Sequence, residues 1–321
     1  MKLNHIFAFL LAVFALSACR EVVITPQPIE PLYKTLAEYD SFSEARRDSV
    51  IHSDSVEIDF MFRFLGKNPS GNMDSLLLKW AKSPVMASYT PVVNTVFPDL
   101  NDLEDNLGLI LENAKTEGLD FPKLKYVAVV WGSLKSIVTA DSIMFIALNH
   151  FLGKDFPGYS DWEHYLREFK TPEQLPFALA ESLVLYKYPY VRTETSTALS
   201  RMMYEGVMTY VKLKIVPNAT LSNTLGYSTE QLEWLDSHYQ EMWETLIGKN
   251  MIYSTSEFDA KRLVDPAPTT SVISPEYPGR VGRYLGYRLI INYVENRSDT
   301  PLTYLLSPNF YNNPSELVLA Q

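Results

Sequence analysis

The chain has few of the residues that form disulfides, cysteine-based metal centres or nucleic-acid-binding surfaces. Cys19 is the single cysteine among 321 residues, which excludes an internal disulfide and a cysteine-based zinc site. The net charge is −10 and there is no block of lysine or arginine, so nucleic acid is not expected as a partner.

The histidines are also few, and their spacing does not suit a metal ion. There are five of them: His5, His52, His150, His164 and His238. No two are separated by a metal-ligand spacing such as i, i+4, which disfavours a histidine-rich metalloenzyme. We expect His150, after a strand-like run, to be a satisfied polar residue, and His164 to lie on a solvated helix face. The sequence predicts no metal and no other cofactor.

Apolar and aromatic residues are abundant. Hydrophobic residues make up 46% of the chain and charged residues 21%, a composition that excludes a disordered protein. Aromatic residues, at 13%, supply area for a sizeable core. From residue 41 onward there is no repeat, low-complexity tract or second linker. We therefore predict a single domain over residues 41–321.

The N-terminus has the pattern of a lipoprotein signal peptide. Lys2 precedes an unbroken apolar run over residues 6–16, which as a helix would span about 16 Å, too short for a hydrocarbon core of about 30 Å. The segment Leu16-Ser17-Ala18-Cys19 is similar to a bacterial lipobox, in which the cysteine is lipidated, for example with palmitate. We predict a signal peptide over residues 1–18 and an acyl anchor at Cys19.

The segment that follows is expected to connect the lipid to the domain. Three prolines and the absence of periodicity predict a flexible tether within residues 19–40. No second run of about 18 apolar residues occurs, so the mature chain should stay on one side of a membrane. Arg20 follows the cysteine instead of an aspartate, which by resemblance to proteobacterial sorting favours the outer membrane, facing the periplasm.

The periodicity of the remaining chain favours helices around a small sheet. Helices are predicted within residues 41–90, with a break near 67–72, and over residues 102–117. Two strands are predicted at residues 125–131 and from 141 onward. Four apolar helices follow within residues 171–188, 195–213, 228–246 and 281–295, and a proline-rich loop covers 265–278. The fold class is a helix-dominated α+β domain with a small sheet preceding the central helices.

Two glutamates stand in unusually apolar helices. Apolar residues surround Glu181 on nearly every side, and Glu205 lies within the run MMYEGVMTY. A buried carboxylate must find a partner or take up a proton. The pair could form a shared polar site, or a structural network in which Glu205 bonds Arg201 and Glu181 accepts from a tyrosine or backbone donors.

The last predicted helix begins with an arginine and two glycines at helical spacing. Gly282 and Gly286 would share one face, where glycine permits close approach of a backbone or of a ligand. Arg280 would stand at the helix start, where anions are favoured, or would bond Glu181 or Glu205.

Several short segments within residues 125–293 carry a family resemblance. They are Ile146-Ala147-Leu148, Phe151-Leu152-Gly153-Lys154-Asp155, Met202-Met203-Tyr204-Glu205-Gly206, Gly226-Tyr227-Ser228-Thr229-Glu230-Gln231-Leu232-Glu233-Trp234, Pro278-Gly279-Arg280-Val281-Gly282 and Gly286-Tyr287. Their order and spacing, together with the lipobox, resemble the gliding-motility lipoprotein family GldB of Bacteroidetes. The segment around Arg280 is the most specific.

That family in turn resembles zincin-like metallopeptidases, in which two strands precede an HExxH helix and a later helix supplies a third zinc ligand. The resemblance implies that Glu181 stands at the general-base position and Glu205 at the third-ligand position. Ala180 and Val184 then occupy the two histidine positions. One carboxylate cannot replace three zinc ligands, and without zinc no activated water forms. The resemblance therefore implies a zincin-like pseudo-peptidase.

We predict a non-catalytic, membrane-anchored scaffold or binding component of the cell envelope that contacts other envelope or gliding-machinery proteins. Its candidate binding cleft comprises Glu181, Glu205, Arg280, Tyr284 and Tyr287. Two alternatives stay open. One is a hydrolase that uses Glu181 and Glu205 as an acid/base pair. The other is a surface lipoprotein that binds glycans or nutrients through its many tyrosines and tryptophans.

Overall fold

The computed structural model describes residues 25–69, 71–313 and 316; the predicted signal peptide and Cys19 lie outside these residues. The helices of the first half are α1 Leu32–Ala37, α2 Glu44–Ser53, α3 Ser55–Phe64, α4 Met73–Ala81, α5 Pro84–Val96 and α6 Asn101–Thr116. Those of the second half are α7 His164–Arg167, α8 Leu175–Lys187, α9 Ala198–Ile215, α10 Leu221–Leu225, α11 Thr229–Ser237, α12 Tyr239–Gly248, α13 Glu257–Val264, α14 Val281–Glu295, α15 Leu302–Leu305 and α16 Pro308–Tyr311. Short 3-10 helices cover Tyr39–Ser41, Leu148–His150, Pro157–Tyr159 and Pro172–Gln174.

The strands form one mixed sheet. They are β1 Ile29–Glu30, β2 Lys125–Val129, β3 Ile137–Ala140 and β4 Ile143–Ala147, in the order β1-β2-β4-β3. β2 runs parallel to β1 and to β4, whereas β3 runs antiparallel to β4. All of β4 is buried, as expected for an apolar, β-branched central strand, while β3 forms a half-buried edge.

This architecture confirms the predicted fold class, a helix-dominated α+β domain whose sheet precedes the central helices. The predicted break between α3 and α4, the loop before α14 and the bounds of α14 are also as expected. The prediction for residues 228–246 is right at its start, because Ser228 and Gln231 form a capping box. It is wrong in treating the segment as one helix, because α11 ends at Ser237 and α12 begins at Tyr239. The ring of His238, between the two helices, stacks on Trp234 and bonds the Trp234 carbonyl. No helix in the described part of the chain is long and apolar enough to span a bilayer.

The tether predicted for residues 19–40 requires correction where the structure describes it. Ile29 pairs with Tyr126 in the sheet, and the Ile29 amide donates to the Glu104 carboxylate at 2.8 Å. Leu32 and Tyr33 of α1 are 1% and 0% exposed. This segment is therefore part of the domain, held by burial and by a strand pairing that spans almost 100 residues of sequence, which no local pattern reveals.

Helix α9 is the centre of the helical layer. It is buried along most of its length and packs against α6, α8, α10, α13 and, most extensively, α14. At the α14 contact the two backbones approach closely: a Cβ at Gly286 would lie 1.9 Å from the Met202 carbonyl oxygen. A Cβ at Gly282 would lie 2.8 Å from the Leu263 carbonyl oxygen. Of the two interpretations of this glycine pair, close packing is therefore confirmed.

We predict that Gly286→Ala destabilises the protein by about 2 kcal/mol or more, because the new methyl group must push α14 away from α9. Alanine is normally favoured over glycine inside a helix by about 1 kcal/mol. A loss of stability in Gly286→Ala, instead of a gain, would therefore identify the close contact. The matched control is Gly248→Ala at the end of α12, where a Cβ would meet nothing within 4 Å. Urea unfolding should show a lowered midpoint for the first variant only; equal midpoints would contradict the packing argument.

Candidate functional site

A cavity of about 310 Å³ lies between the edge strand β3 and helices α8, α9 and α14. Its wall contains the charged residues Lys170, Glu181, Lys212, Arg280 and Arg283. A larger depression of about 1010 Å³ lies beside β1 and the N-terminal end of β2, but none of the predicted site residues lines it. The smaller cavity is therefore the candidate site.

Helix α8 presents one face to this cavity. Ala178, Glu181, Ser182 and Leu185 line it, which is the i, i+3, i+4, i+7 spacing of a helix face. The expectation that Glu181 would be enclosed by apolar side chains is therefore wrong on this side, and its side chain is 29% exposed. The face opens because α8 packs on the core through other residues.

The two positions that the resemblance assigns to zinc ligands lie on that core-facing side. Ala180 and Val184 are both 0% exposed, and neither lines the cavity. Their small apolar side chains belong to the hydrophobic core. These positions therefore serve the packing of α8.

Glu181 is held by two cations. Lys212 Nζ lies 2.7 Å from its Oε2 atom, and Arg283 Nη1 lies 3.7 Å from its Oε1 atom. Burial by itself raises the pKa of the Glu181 carboxyl, but Lys212 and Arg283 outweigh it and lower that pKa to about 2. At neutral pH Glu181 is a fixed carboxylate, and its partner is a lysine instead of the expected tyrosine or backbone donor.

Glu205 lies behind the cavity and does not line it. Its side chain is 4% exposed, and Arg201 bonds it at 2.7 Å, as the i−4 spacing predicted. Arg283 Nε lies 3.3 Å from its other carboxylate oxygen. Glu181 and Glu205 are thus joined through Arg283 in one network; the predicted Arg201–Glu205 pair is confirmed, whereas the two cations that hold Glu181 were not predicted. Burial lowers the pKa of the Arg283 guanidinium, but Glu205 and Glu181 outweigh it and raise that pKa.

Arg280 does line the cavity, but the expected bond to Glu181 or Glu205 is not formed by it. Arg283, one helical turn further on, makes both contacts. The Arg280 guanidinium instead stacks on Phe169, with its central carbon 4.1 Å from the ring centroid. Burial and the neighbouring Arg283 lower the pKa of Arg280, with burial the larger cause, to about 10, so it stays charged at neutral pH.

Tyr284 and Tyr287, which were expected in the cleft, do not line this cavity. The Tyr284 side chain is 0% exposed, and its hydroxyl donates to the Asp236 carboxylate at 2.5 Å. Tyr287 follows Gly286 on α14 and is half-buried. The error has a simple cause: both were placed by their closeness to Arg280 in sequence, whereas the helix turns them to other sides.

Two of the histidines behave as expected. His150 is 3% exposed and lies 3.1 Å from the Ser136 hydroxyl, and burial lowers the pKa of its ring to about 3. His164 is exposed at the start of α7. In the described ranges, no group of three or more His, Cys, Asp or Glu side chains is arranged to hold a metal ion.

Three charged residues of the site were missed from sequence: Lys170, Lys212 and Arg283. Lys212 carried a signal, because it stands seven residues after Glu205, two turns along the same apolar helix. A lysine on that buried stripe requires a carboxylate partner. Lys170 lies in a loop, and no periodic pattern marks it.

The fold and this site define a helix-dominated α+β protein whose central cavity holds a carboxylate fixed by a lysine and an arginine. A family model described as gliding motility protein GldB matches residues 25–313, and the chain belongs to that family. The resemblance to the GldB family seen in the sequence is thereby confirmed. Comparison with curated proteins and with solved structures gave no match.

We predict that Lys212→Met destabilises the protein by about 2 to 4 kcal/mol, because it leaves Glu181 without its closest cation in a partly dry site. The matched control is Lys214→Met on the same helix, whose exposed pair with Glu117 at 3.7 Å should contribute less than about 1 kcal/mol. Urea unfolding at pH 7 measures both, and similar losses would contradict the network.

The stability losses of Lys212→Met and Lys214→Met should also differ in their dependence on pH. The pKa of Glu181 is lowered in the folded state, so its stabilising contribution is complete above about pH 4.5 and is lost as the pH falls towards 2. Lys212→Met raises this folded-state pKa. The penalty of the substitution should therefore shrink between pH 5 and pH 3, whereas that of Lys214→Met should change little.

Proposed function

We propose that this protein is a non-catalytic lipoprotein of the cell envelope that serves the gliding machinery as a scaffold or binding component. Membership of the GldB family supports the link to gliding motility. The sole cysteine, Cys19, stands at the end of a lipobox-like segment and would carry the anchor at the outer membrane, facing the periplasm. The partners would be other envelope proteins of that machinery.

The observation that carries the non-catalytic role is the ion pairing of Glu181. A general base works best with a pKa near the operating pH, but Lys212 and Arg283 lower the pKa of Glu181 to about 2. The core-facing positions of Ala180 and Val184 support the same conclusion, since side chains there do not reach the cavity. The peptidase-like arrangement would then be retained for binding alone.

The structure counts against the alternative of an acid/base pair. Such a pair must face a substrate across an open cleft, with two carboxyl groups in different protonation states. Glu205 is 4% exposed, does not line the cavity and is bonded to Arg201 and Arg283. The two glutamates therefore cannot flank one substrate.

A glycan-binding surface receives no support either. Stacking on sugars requires a row of exposed aromatic rings, whereas most tyrosines and tryptophans of the described residues belong to the core or pack against it. The most exposed tyrosines, Tyr186 and Tyr253, are on different segments: Tyr186 is in α8, and Tyr253 is in the turn before α13.

We expect the purified full-length protein to contain well below one zinc per chain and to cleave no peptide faster than its Glu181→Gln variant does. Metal content is measured by mass spectrometry, and cleavage with a mixed fluorogenic peptide library. Stoichiometric zinc together with cleavage that Glu181→Gln abolishes would overturn the non-catalytic assignment.

We expect Cys19→Ser to move the protein from the membrane fraction to the soluble fraction, because no acyl chain can then be attached. Ser17→Ala, which keeps the cysteine, is the control and should stay with the membrane. Fractionation of cells followed by immunoblotting distinguishes the two. A Cys19→Ser protein that stays fully membrane-bound would show that lipid is not the anchor.

A further inference from the structure

The cavity beside α8 carries more positive than negative charge. Four cationic side chains line it, Lys170, Lys212, Arg280 and Arg283, against the single carboxylate of Glu181. Lys212 and Arg283 are neutralised locally by Glu181 and by Glu205 behind the wall. Lys170 and Arg280 remain, and each needs its charge balanced when the cavity loses its water.

Aromatic rings, and no carboxylate of the described residues, directly contact the Arg280 guanidinium, although Glu181 is near enough to raise its pKa. Its guanidinium stacks on Phe169 at 4.1 Å and lies 5.7 Å from the Tyr227 ring centroid. Within the part of the chain that the structure describes, its side chain forms no ion pair and no hydrogen bond. A guanidinium stacked through its face keeps its edge, with its N–H donors, available to an oxyanion.

Arg280 is also held in a costly backbone conformation by a dedicated set of contacts. Its φ of 68° lies in the left-handed region, which a non-glycine residue rarely adopts. The Tyr227 hydroxyl donates to the Gly279 carbonyl at 2.5 Å, and the buried Thr270 hydroxyl donates to the Pro278 carbonyl at 2.7 Å. The Val281 amide donates to the same Thr270 hydroxyl at 3.2 Å, so contacts fix the backbone on both sides of Arg280.

The segment around Gly226, which also carries the family resemblance, packs against the Phe169 ring on which Arg280 stacks. Gly226 has a φ of 69°, and a Cβ there would lie 2.3 Å from Phe169 Cζ and 3.4 Å from an Arg280 nitrogen. A side chain at this position would therefore displace the ring on which the guanidinium rests. Two of the segments that carry the family resemblance, around Gly226 and around Arg280, meet at this one cation.

Lys170 is the other cation of the cavity wall that forms no ion pair within the described ranges. Its ammonium group donates to the Ser136 hydroxyl at 2.6 Å and lies 4.9 Å from the Trp162 ring centroid. Burial lowers the pKa of Lys170 to about 8, so at neutral pH it is mainly charged. Like Arg280, it is packed on an aromatic ring and lines the cavity.

The rest of the wall is largely apolar. Ile137, Phe177 and Leu185 line the cavity together with the charged groups. Ligand sites typically combine such walls with a few convergent polar groups, and a volume of about 310 Å³ is at the small end of their range. A ligand that fits would carry one acidic group on a small apolar body.

We propose that this cavity binds an oxyanion, a carboxylate or a phosphate, attached to an apolar body, with Arg280 and Lys170 balancing its charge. Arg280 supplies the forked donors, Lys170 supplies a point charge, and Ile137, Phe177 and Leu185 contact the body. This inference deepens the proposed function, on which it rests, by naming the chemistry that the retained cavity recognises. A peptide that ends in an apolar residue is one source of such a group.

The test is calorimetric titration of the full-length protein in detergent micelles with four probes. They are N-acetyl-phenylalanine, its uncharged amide, phenyl phosphate and inorganic phosphate. We expect both charged aromatic probes to bind, and the amide and inorganic phosphate to bind at least tenfold more weakly. The tighter of the two charged aromatic probes identifies the carboxylate or the phosphate as the source. Equal binding of the acid and the amide, or no binding of any probe, would overturn the proposal.

Substitutions localise the binding. Arg280→Met and Lys170→Met should each weaken it at least tenfold, and Arg280→Lys, which keeps the charge but loses the fork, should fall between wild type and Arg280→Met. The matched control is Arg46→Met, because the Arg46 guanidinium stacks on Phe42 at a similar distance, 4.2 Å, but lies outside the cavity. Thermal unfolding verifies that each variant is folded. Equal affinities for Arg280→Lys, Lys170→Met and Arg46→Met would also overturn the proposal.

This outcome is separable from that of the proposed function. Zinc-dependent cleavage of peptides would refute the non-catalytic role whatever the probes do. Failure of all probes, in a chain that is membrane-bound and cleaves nothing, would refute only the oxyanion site.

Discussion

The close contact of α9 with α14 is the constraint on which the rest of the site depends. Gly206 and Gly286 let the two backbones meet, and this brings Arg283 of α14 within reach of Glu205 on α9 and Glu181 on α8. The resulting chain of charges ties three helices together around the cavity. Partly buried ion pairs stabilise a fold only when every charge has a partner, so a shift of α14 would weaken the whole network.

Features that depend on neighbours in sequence could be predicted. The capping box at Ser228, the pair of Arg201 with Glu205 and the bounds of α14 all follow from spacings of three or four residues, and all are confirmed. The fold class was predictable for the same reason, because long periodic helices and a few β-branched runs are local signals.

Features that depend on distant parts of the chain could not be predicted. The sequence places Ile29 in a tether, because a strand of two residues is too short to show a periodic pattern. Its burial depends on pairing with the distant strand β2. The choice between Arg280 and Arg283 is of the same kind. They stand one turn apart, and the left-handed backbone at Arg280 sends its side chain to Phe169, which leaves Arg283 to meet the glutamates.

The pKa of Glu181 can be compared with the pKa that a catalytic general base needs. A general base at neutral pH needs a pKa near 7, whereas Lys212 and Arg283 set the pKa of this carboxyl near 2. Binding has no such requirement, because fixed charges can remain as they are while a ligand satisfies the unpaired ones. An arrangement that keeps Glu181 ionised and leaves Arg280 outside any ion pair of the described residues therefore supports the proposal that the cavity recognises an anion and does not transfer protons.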